Sequence, residues 1–283
     1  MKLSLIVPIY NCETYLLEFL SSLKVALGDF LVDIIFVLEP CQDNSKSLLL
    51  DNLRYFKDAK VIENKEKLGP LNSRLSGVKQ ARGEYICFVD SDDYLFPNYF
   101  ESILSSLKED SDLIIFGYEI LNKRIHKYRQ KEKIITQEKA KKSLLLDIKI
   151  RSFLWNKVFK KSLFMKIDFS MLPSVDIYED LALVYSYLDF CNKIKLSKEI
   201  IYRYLMHEDS LTGNSLNRVV SRMRVYAYVY KKNIENKVPH LNKIFSRYSI
   251  LFKSYIIYDS RKEKLTRKET KKFLLEFKNM KRS

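Results

Sequence analysis

Glu84-Tyr-Ile-Cys-Phe-Val-Asp-Ser-Asp-Asp-Tyr-Leu-Phe-Pro97 is an apolar strand that ends by presenting three carboxylates at one point. Tyr85–Val89 is the β-branched and aromatic run of a buried core strand. Asp90, Asp92 and Asp93 stand where that strand leaves the core, and Pro97 opens a helical stretch. Three acids within four residues repel one another unless positive charge lies among them. A hard divalent cation suits such a set, because Mg2+ and Mn2+ prefer carboxylate and phosphate oxygens. A solvated acidic turn, or acids capping the next helix, would give the same pattern.

Around this turn the chain alternates in character. Leu3–Ile9, Val32–Leu38, Lys60–Ile62, Tyr85–Val89 and Asp112–Tyr118 read as strands, with helices over Cys12–Leu27, Asn44–Phe56, Pro70–Ala81 and Pro97–Leu107. Strands separated by single helices predict βαβ units and an α/β fold with a mostly parallel sheet. In such a sheet the ligand lies beyond the carboxyl ends of the strands, and Tyr10, Glu39 and Asp90 each follow directly on one. Residues 119–212 are less regular, with helices expected over Thr136–Leu146 and Tyr178–Phe190 and a strand over Lys198–Leu205.

With 283 residues, 47% apolar and 13% aromatic, the chain can build a full core, so disorder is not expected. Its longest apolar runs fall far short of the ~20 residues that span a bilayer. Pro8 and Asn11 break the first of them, which predicts a strand rather than a signal peptide. The four cysteines have no paired spacing, which suits a reducing cytoplasm and suggests neither zinc nor disulfides.

The acidic turn resembles the D-x-D segment of the family 2 glycosyltransferases, which have the GT-A fold. Ser4-Leu-Ile-Val-Pro-Ile-Tyr-Asn11 is similar to the family's opening strand and nucleotide-binding turn, and Val32–Val37 to its second strand. Asn64 to Asp93, with Gly69, Arg74, Gly77, Ala81, Gly83 and Glu84, follows the family's path into the acidic motif. Trp155-Asn-Lys157, Tyr178-Glu-Asp180 and Ile201-Tyr-Arg-Tyr204 followed by Asp209-Ser-Leu-Thr212 match its acceptor-side half. The resemblance covers residues 1–212: a nucleotide-sugar-binding half over 1–118 and an acceptor-side half over 119–212, with a basic helical C-terminal region at 213–283.

This resemblance implies an inverting, metal-dependent transferase. It would move a sugar from a nucleotide-diphosphate sugar, a UDP-sugar, to a hydroxyl of a glycan or lipid-linked acceptor in cell-surface polysaccharide synthesis. It implies Asp92 as ligand of Mn2+ or Mg2+, Asp90 as a metal or ribose contact, and His207 as a further metal candidate. Pro8, Tyr10, Glu39, Arg74, Asp90, Ser91 and Asp92 would bind the donor, with Tyr10 against the base and Glu39 where the pattern has a uracil-contacting Asp. Asp180 would be the catalytic base and Glu179 its orienting neighbour; two acids opening a helix also suit its dipole. Asp93 would cap the following helix or shape the turn, and Asp33 would be a solvated strand-start residue. Trp155 would either stack on a sugar or pack the acceptor-side half. The chain departs from the pattern at Leu38, Pro40, Cys41, Lys67 and Leu75. Those changes leave an alternative, a catalytically impaired homologue acting as partner or scaffold.

Net charge is +15 and unevenly spread. Residues 213–283 hold 19 basic and 5 acidic side chains, leaving 31 and 30 in residues 1–212. The apolar spacing there (Val219, Met223, Tyr226, Tyr230; Ile244, Tyr248, Leu251, Tyr255) predicts two or three helices with basic and aromatic faces. Such helices suit an anionic membrane surface, placing the protein at the inner face of the cell membrane. A homodimer interface is the other use of such helices; no nucleic-acid module is recognisable, so nucleic acid is not an expected partner.

Overall fold

The computed structural model describes residues 2–122, 124–146, 150–175, 177–206, 217–235, 241–262 and 264–279. The chain divides into two compact units. The first comprises Met1–Gln137, Phe153–Ile167 and Phe190–Met206, and the second Glu138–Ser152, Asp168–Asp189 and His207–Ser283. The boundary expected at residues 212/213 lies outside the described residues.

All ten described strands belong to the first unit. In chain order its elements are β1 (Leu3–Ile9), α1 (Glu13–Leu27), β2 (Asp33–Leu38), α2 (Ser45–Asn52), β3 (Lys60–Glu63), α3 (Gly69–Gln80), β4 (Tyr85–Phe88), β5 (Tyr94–Leu95), α4 (Tyr99–Ser106), β6 (Leu113–Leu121), β7 (Ile125–Tyr128) and β8 (Lys133–Ile135). After α5 (Gln137–Leu145), which lies mainly in the second unit, come β9 (Lys157–Lys160), α6 (Lys161–Phe164), and then β10 (Ile194–Leu205). The main sheet runs β3-β2-β1-β4-β9-β6-β10-β5, with β7 on β6 and β8 on β10. Six of these eight strands point the same way, since only β9 and β5 are antiparallel to their neighbours. This is the mostly parallel α/β sheet of the GT-A fold.

The central strands are apolar apart from Ser4 in β1 and Asp33 in β2, because both faces are covered. Every residue of β2 and β4 is buried, as is all of β1 except half-buried Pro8. Pro8 lies inside β1, paired with Val37. Proline is tolerated there because the Ile6 carbonyl, which points to the same side, receives the last β4-side bond, from Val89 N–H. At Pro8 there is no longer a β4 partner asking for an N–H. Helix α3 packs tightly on the sheet at Gly77, where a Cβ would stand 2.5 Å from Ile6 and 3.0 Å from Val37 side-chain atoms.

Asp33 departs from its sequence reading, being fully buried rather than solvated. Its carboxylate accepts from Ser4 Oγ (2.7 Å), Arg82 N–H (2.8 Å) and Arg82 Nε (2.9 Å), so the start of β2 is tied to the turn before β4. Trp155 takes the packing role of its two readings. It is sandwiched between Phe153 (4.6 Å, 13°) and Tyr202 (4.5 Å, 7°), which leaves neither ring face for a sugar.

The second unit is helical: α5, α7 (Glu179–Leu188), α8 (Asn217–Glu235), α9 (Leu241–Lys262) and α10 (Arg267–Asn279). The three helices described after residue 213 meet the sequence expectation. Tyr226, Phe252 and Phe277, one from each, converge with ring centroids 4.5–5.0 Å apart. Among the described residues no helix is long and apolar enough to cross a membrane.

Candidate active site

At the carboxyl ends of β1, β2 and β4 the first unit gathers Tyr10, Glu39 and the Asp90–Asp93 turn. The parallel register brings them there: Ile9 is level with Leu38, and Ile6 with Phe88. Asn11 takes a left-handed φ of 45°, turning the chain away from β1 before α1 begins.

The acidic turn is held from two sides. Arg74, buried on α3, donates to Asp90 Oδ1 at 2.7 Å. From the other side, the Tyr202 hydroxyl of β10 accepts from Asp90 N–H (3.1 Å) and donates to Asp93 Oδ2 (2.6 Å). Leu205 N–H donates to Asp93 Oδ1 at 2.8 Å. Asp93 is 2% exposed, and burial, followed by the charges of Asp92 and Asp90, pushes its carboxyl well above the usual range. It braces the turn from beneath. Burial, with the same three carboxylates nearby, pushes the Tyr204 phenol up to about 12. Ser91 is buried, while Asp92 is half-buried on the turn between Asp90 and Asp93.

Glu39 is 4% exposed, and both its oxygens are engaged. Oε1 accepts from Asn64 Nδ2 (2.7 Å) and Oε2 from Leu68 N–H (2.7 Å), so Glu39 fixes the loop that leads into α3. That loop carries Lys67, whose ammonium lies 4.1 Å from the Tyr10 ring centroid and donates to the Tyr10 hydroxyl at 3.0 Å. A cation over an aromatic face is an attractive pair. Lys67 therefore brings positive charge to the lip of the crevice.

Among the described residues no three His, Cys, Asp or Glu side chains converge as a metal cage. His207 lies outside the described residues. Asp90 and Asp92 still fit the usual Mg2+ or Mn2+ arrangement, in which one or two carboxylates hold an ion completed by substrate phosphates and water.

Glu179 and Asp180 belong to the second unit, as the first two residues of α7. Tyr178 just before them has a left-handed φ of 70°. Arg222 of α8 donates to the Tyr178 hydroxyl at 2.6 Å and lies over its ring at 4.1 Å. Arg222 Nε donates to Asp259 Oδ2 of α9 at 2.8 Å. No local pattern could have announced these contacts, because the partners lie 44 and 37 residues apart in the chain.

Known proteins resemble this chain in sequence and in fold. Over the length of two curated glycosyltransferases of Bacillus subtilis, the chain spans 62%. It is 30% identical over 215 residues to the poly(ribitol-phosphate) beta-glucosyltransferase of Bacillus spizizenii, covering 74% of this chain and 33% of that protein. In fold it is similar to Staphylococcus aureus TarS 1–349 in complex with UDP-GlcNAc (TM-score 0.66, 22% identity), covering 99% of this chain and 72% of that one. It also shares a fold with a mannosyltransferase of Pyrobaculum calidifontis in complex with GDP-Man and Mn2+ (TM-score 0.55, 13% identity), covering 83% and 64%. The family model described as Glycosyl transferase family 2 matches residues 4–171, which include all but the first residue of β1, the Glu39 turn and the Asp90–Asp93 turn. The chain belongs to glycosyl transferase family 2.

Proposed function

We propose that the protein is an inverting glycosyltransferase that takes a sugar from a UDP-sugar to a hydroxyl of a glycan or lipid-linked acceptor in cell-surface polysaccharide synthesis. The observation that carries this reading is the acidic turn braced by Arg74 and Tyr202 at the carboxyl ends of β1, β2 and β4. The polymer-glycosylating Bacillus relative and the UDP-GlcNAc complex of TarS support the substrate class. A catalytically impaired scaffold would be free to lose Asp90, Asp92 and the Glu179–Asp180 pair, and this chain has all four.

In this reading Pro8 and Tyr10 flank the nucleotide, Glu39 holds the loop beside it, and Arg74 and Lys67 supply positive charge toward the diphosphate. Asp90, Ser91 and Asp92 meet the ribose and phosphates. Asp92, with Asp90, would hold Mn2+ or Mg2+, which supplies charge neutralisation to the departing diphosphate; His207 is the further ligand candidate. Asp180 accepts the proton of the acceptor hydroxyl as its oxygen bonds to the anomeric carbon and the bond to the diphosphate breaks. Glu179 orients it. UDP leaves, and the configuration inverts because attack and departure occur on opposite faces.

The exposed face of α10 carries Lys268, Lys271, Lys272 and Lys278 beside Leu275, which is 60% exposed. That mixture suits anionic lipid at the inner face of the cell membrane, where a lipid-linked acceptor would be met. The test of the donor reading is thermal unfolding with UDP, with and without Mn2+. A ligand at about 100 times its Kd adds roughly 2.7 kcal/mol, so a clear metal-dependent rise in Tm is expected. No rise with any nucleotide diphosphate would overturn it.

A further inference from the structure

The first turn of α7 is held by the C-terminal helices. Three contacts pair α7 and its flanks with α8, and they rise together along both segments. Tyr178 meets Arg222, Ser186 Oγ meets Tyr228 Oη at 2.7 Å, and Asp189 meets Lys232 at 2.9 Å. The two segments therefore run side by side in the same direction. Asp189 also takes the buried Lys141 of α5. At the leading end the arrangement is a relay: Asp259, 1% exposed on α9, fixes Arg222, and Arg222 fixes Tyr178. Arg222 also lies 4.6 Å from the Tyr255 ring, a second aromatic contact for its guanidinium. Tyr178 is the residue immediately before Glu179-Asp180, and its left-handed backbone is a conformation that non-glycine residues adopt at a cost. Something must hold it there.

We infer that Arg222, anchored by Asp259, is a positioning residue for the Glu179–Asp180 pair, so that the basic C-terminal helices form part of the catalytic apparatus. This rests on the reading of Asp180 as base. The guanidinium fork suits the task, since it can grip a carboxylate and a phenol at once while stacking on rings, which lysine cannot do. Misplacing a catalytic group by about 1 Å can cost as much as 10²-fold in rate, so a modest shift of the α7 start is enough to be read.

Tyr178→Phe is the variant of choice. It deletes the oxygen that Arg222 binds and keeps the ring, whereas Arg222→Met would strand the buried Asp259 charge and could unfold the unit. With the full-length protein and UDP-GlcNAc as probe, UDP release by donor hydrolysis would be followed alongside UDP affinity and Tm. Tyr178→Phe is expected to slow turnover about tenfold with UDP affinity unchanged and at most a small fall in Tm. In the Asp180→Asn background the same change is expected to have no further effect, because both act on one step. An equal further loss in that background would mean a general structural role and overturn the inference. So would parental turnover of Tyr178→Phe where Asp180→Asn is slow. Parental turnover of Asp180→Asn itself would instead remove the underlying assignment of the base.

Discussion

Arg74 reaches Asp90 across 2.7 Å, with the arginine buried and the aspartate keeping 30% of its side-chain surface exposed. The turn is thus delivered with one carboxylate oxygen already paired to a fixed cation. Asp93 is taken into the core by Tyr202 and Leu205, while Asp92 between them stays half-buried at the crevice. Asp92→Asn is therefore expected to abolish Mn2+-dependent binding of UDP while leaving the unfolding temperature of the unliganded protein unchanged. Calorimetric titration with UDP, with and without Mn2+, checks this. Undiminished metal-dependent binding would remove Asp92 as the ligand.

Asp33 supplies a stability prediction. Burial alone would raise its pKa. The bonds from Arg82 N–H, the Ser4 hydroxyl and the Arg82 guanidinium more than offset that and hold it below the usual carboxylate range. A carboxyl depressed on folding adds stability that is fully present above its unfolded pKa of about 3.9 and fades as pH falls through the folded value. Asp33→Asn should cost about 2–3 kcal/mol at neutral pH, where a buried charged acceptor is lost and Arg82 is left behind. The difference between parent and variant should shrink as pH falls below about 4, because the parent's carboxyl then gains a proton on unfolding. Denaturant unfolding at pH 7 and at about pH 3 makes the comparison.

Gly83 is the tightest backbone approach near Asp33. A Cβ there would meet Ser4 N at 2.5 Å, the Leu3 carbonyl carbon at 2.6 Å and Tyr85 O at 2.8 Å, all of them main-chain atoms. At Gly77 the obstruction is side chain, the buried Ile6 and Val37, which can yield by a small shift of α3 on the sheet where main-chain atoms cannot. Gly83→Ala should therefore destabilise by more than Gly77→Ala, with overpacking of this kind costing about 1–3 kcal/mol or more. Equal melting temperatures for the two variants would contradict this account of the β1–β4 junction.

The exposed lysines of α10 give the membrane test. Replacing Lys268, Lys271, Lys272 and Lys278 by Glu should eliminate co-sedimentation with phosphatidylglycerol vesicles, since each basic group near such a surface contributes about 1 kcal/mol. UDP binding should be unaltered. Retained sedimentation would move any lipid contact elsewhere. Truncation after Thr212 is a poor substitute, because it removes Val219, Met223, Tyr226, Phe252 and Phe277, all buried. Such a fragment should expose apolar surface and aggregate.

Much of the parallel half of the sheet was legible because each of β1, β2 and β4 announces itself by a mainly apolar run, and helices separate these strands in the chain. The second half was not. Lys157–Lys160 forms β9, four residues inserted between β4 and β6, and its pairing is decided by partners up to 75 positions away. Ile125–Tyr128 is exposed along its length, so β7 has no burial pattern to betray it. Asp33 looked like a solvated strand start because Arg82, which buries and binds it, lies 49 residues on. Trp155 left two readings open until Phe153 and Tyr202 closed on its faces. The acidic residues themselves could be seen in the sequence; what holds them in place could not.

Tyr202 sets an order on biosynthesis. Its hydroxyl completes both Asp90 and Asp93, yet it lies 112 and 109 residues after them. On a ribosome the first βαβ units can fold as they emerge, but the β10 side of the acidic turn stays unbraced until that strand has been made and has docked beside β6. While those intervening residues are being made, the nascent chain therefore carries three neighbouring carboxylates on an unfinished turn, beside an open sheet edge where β9 will later insert. Unpaired edges of this kind are where incomplete chains associate wrongly. Chains arrested before about residue 205 should accordingly be the ones that depend on chaperones, and a donor-competent crevice should appear late and all at once.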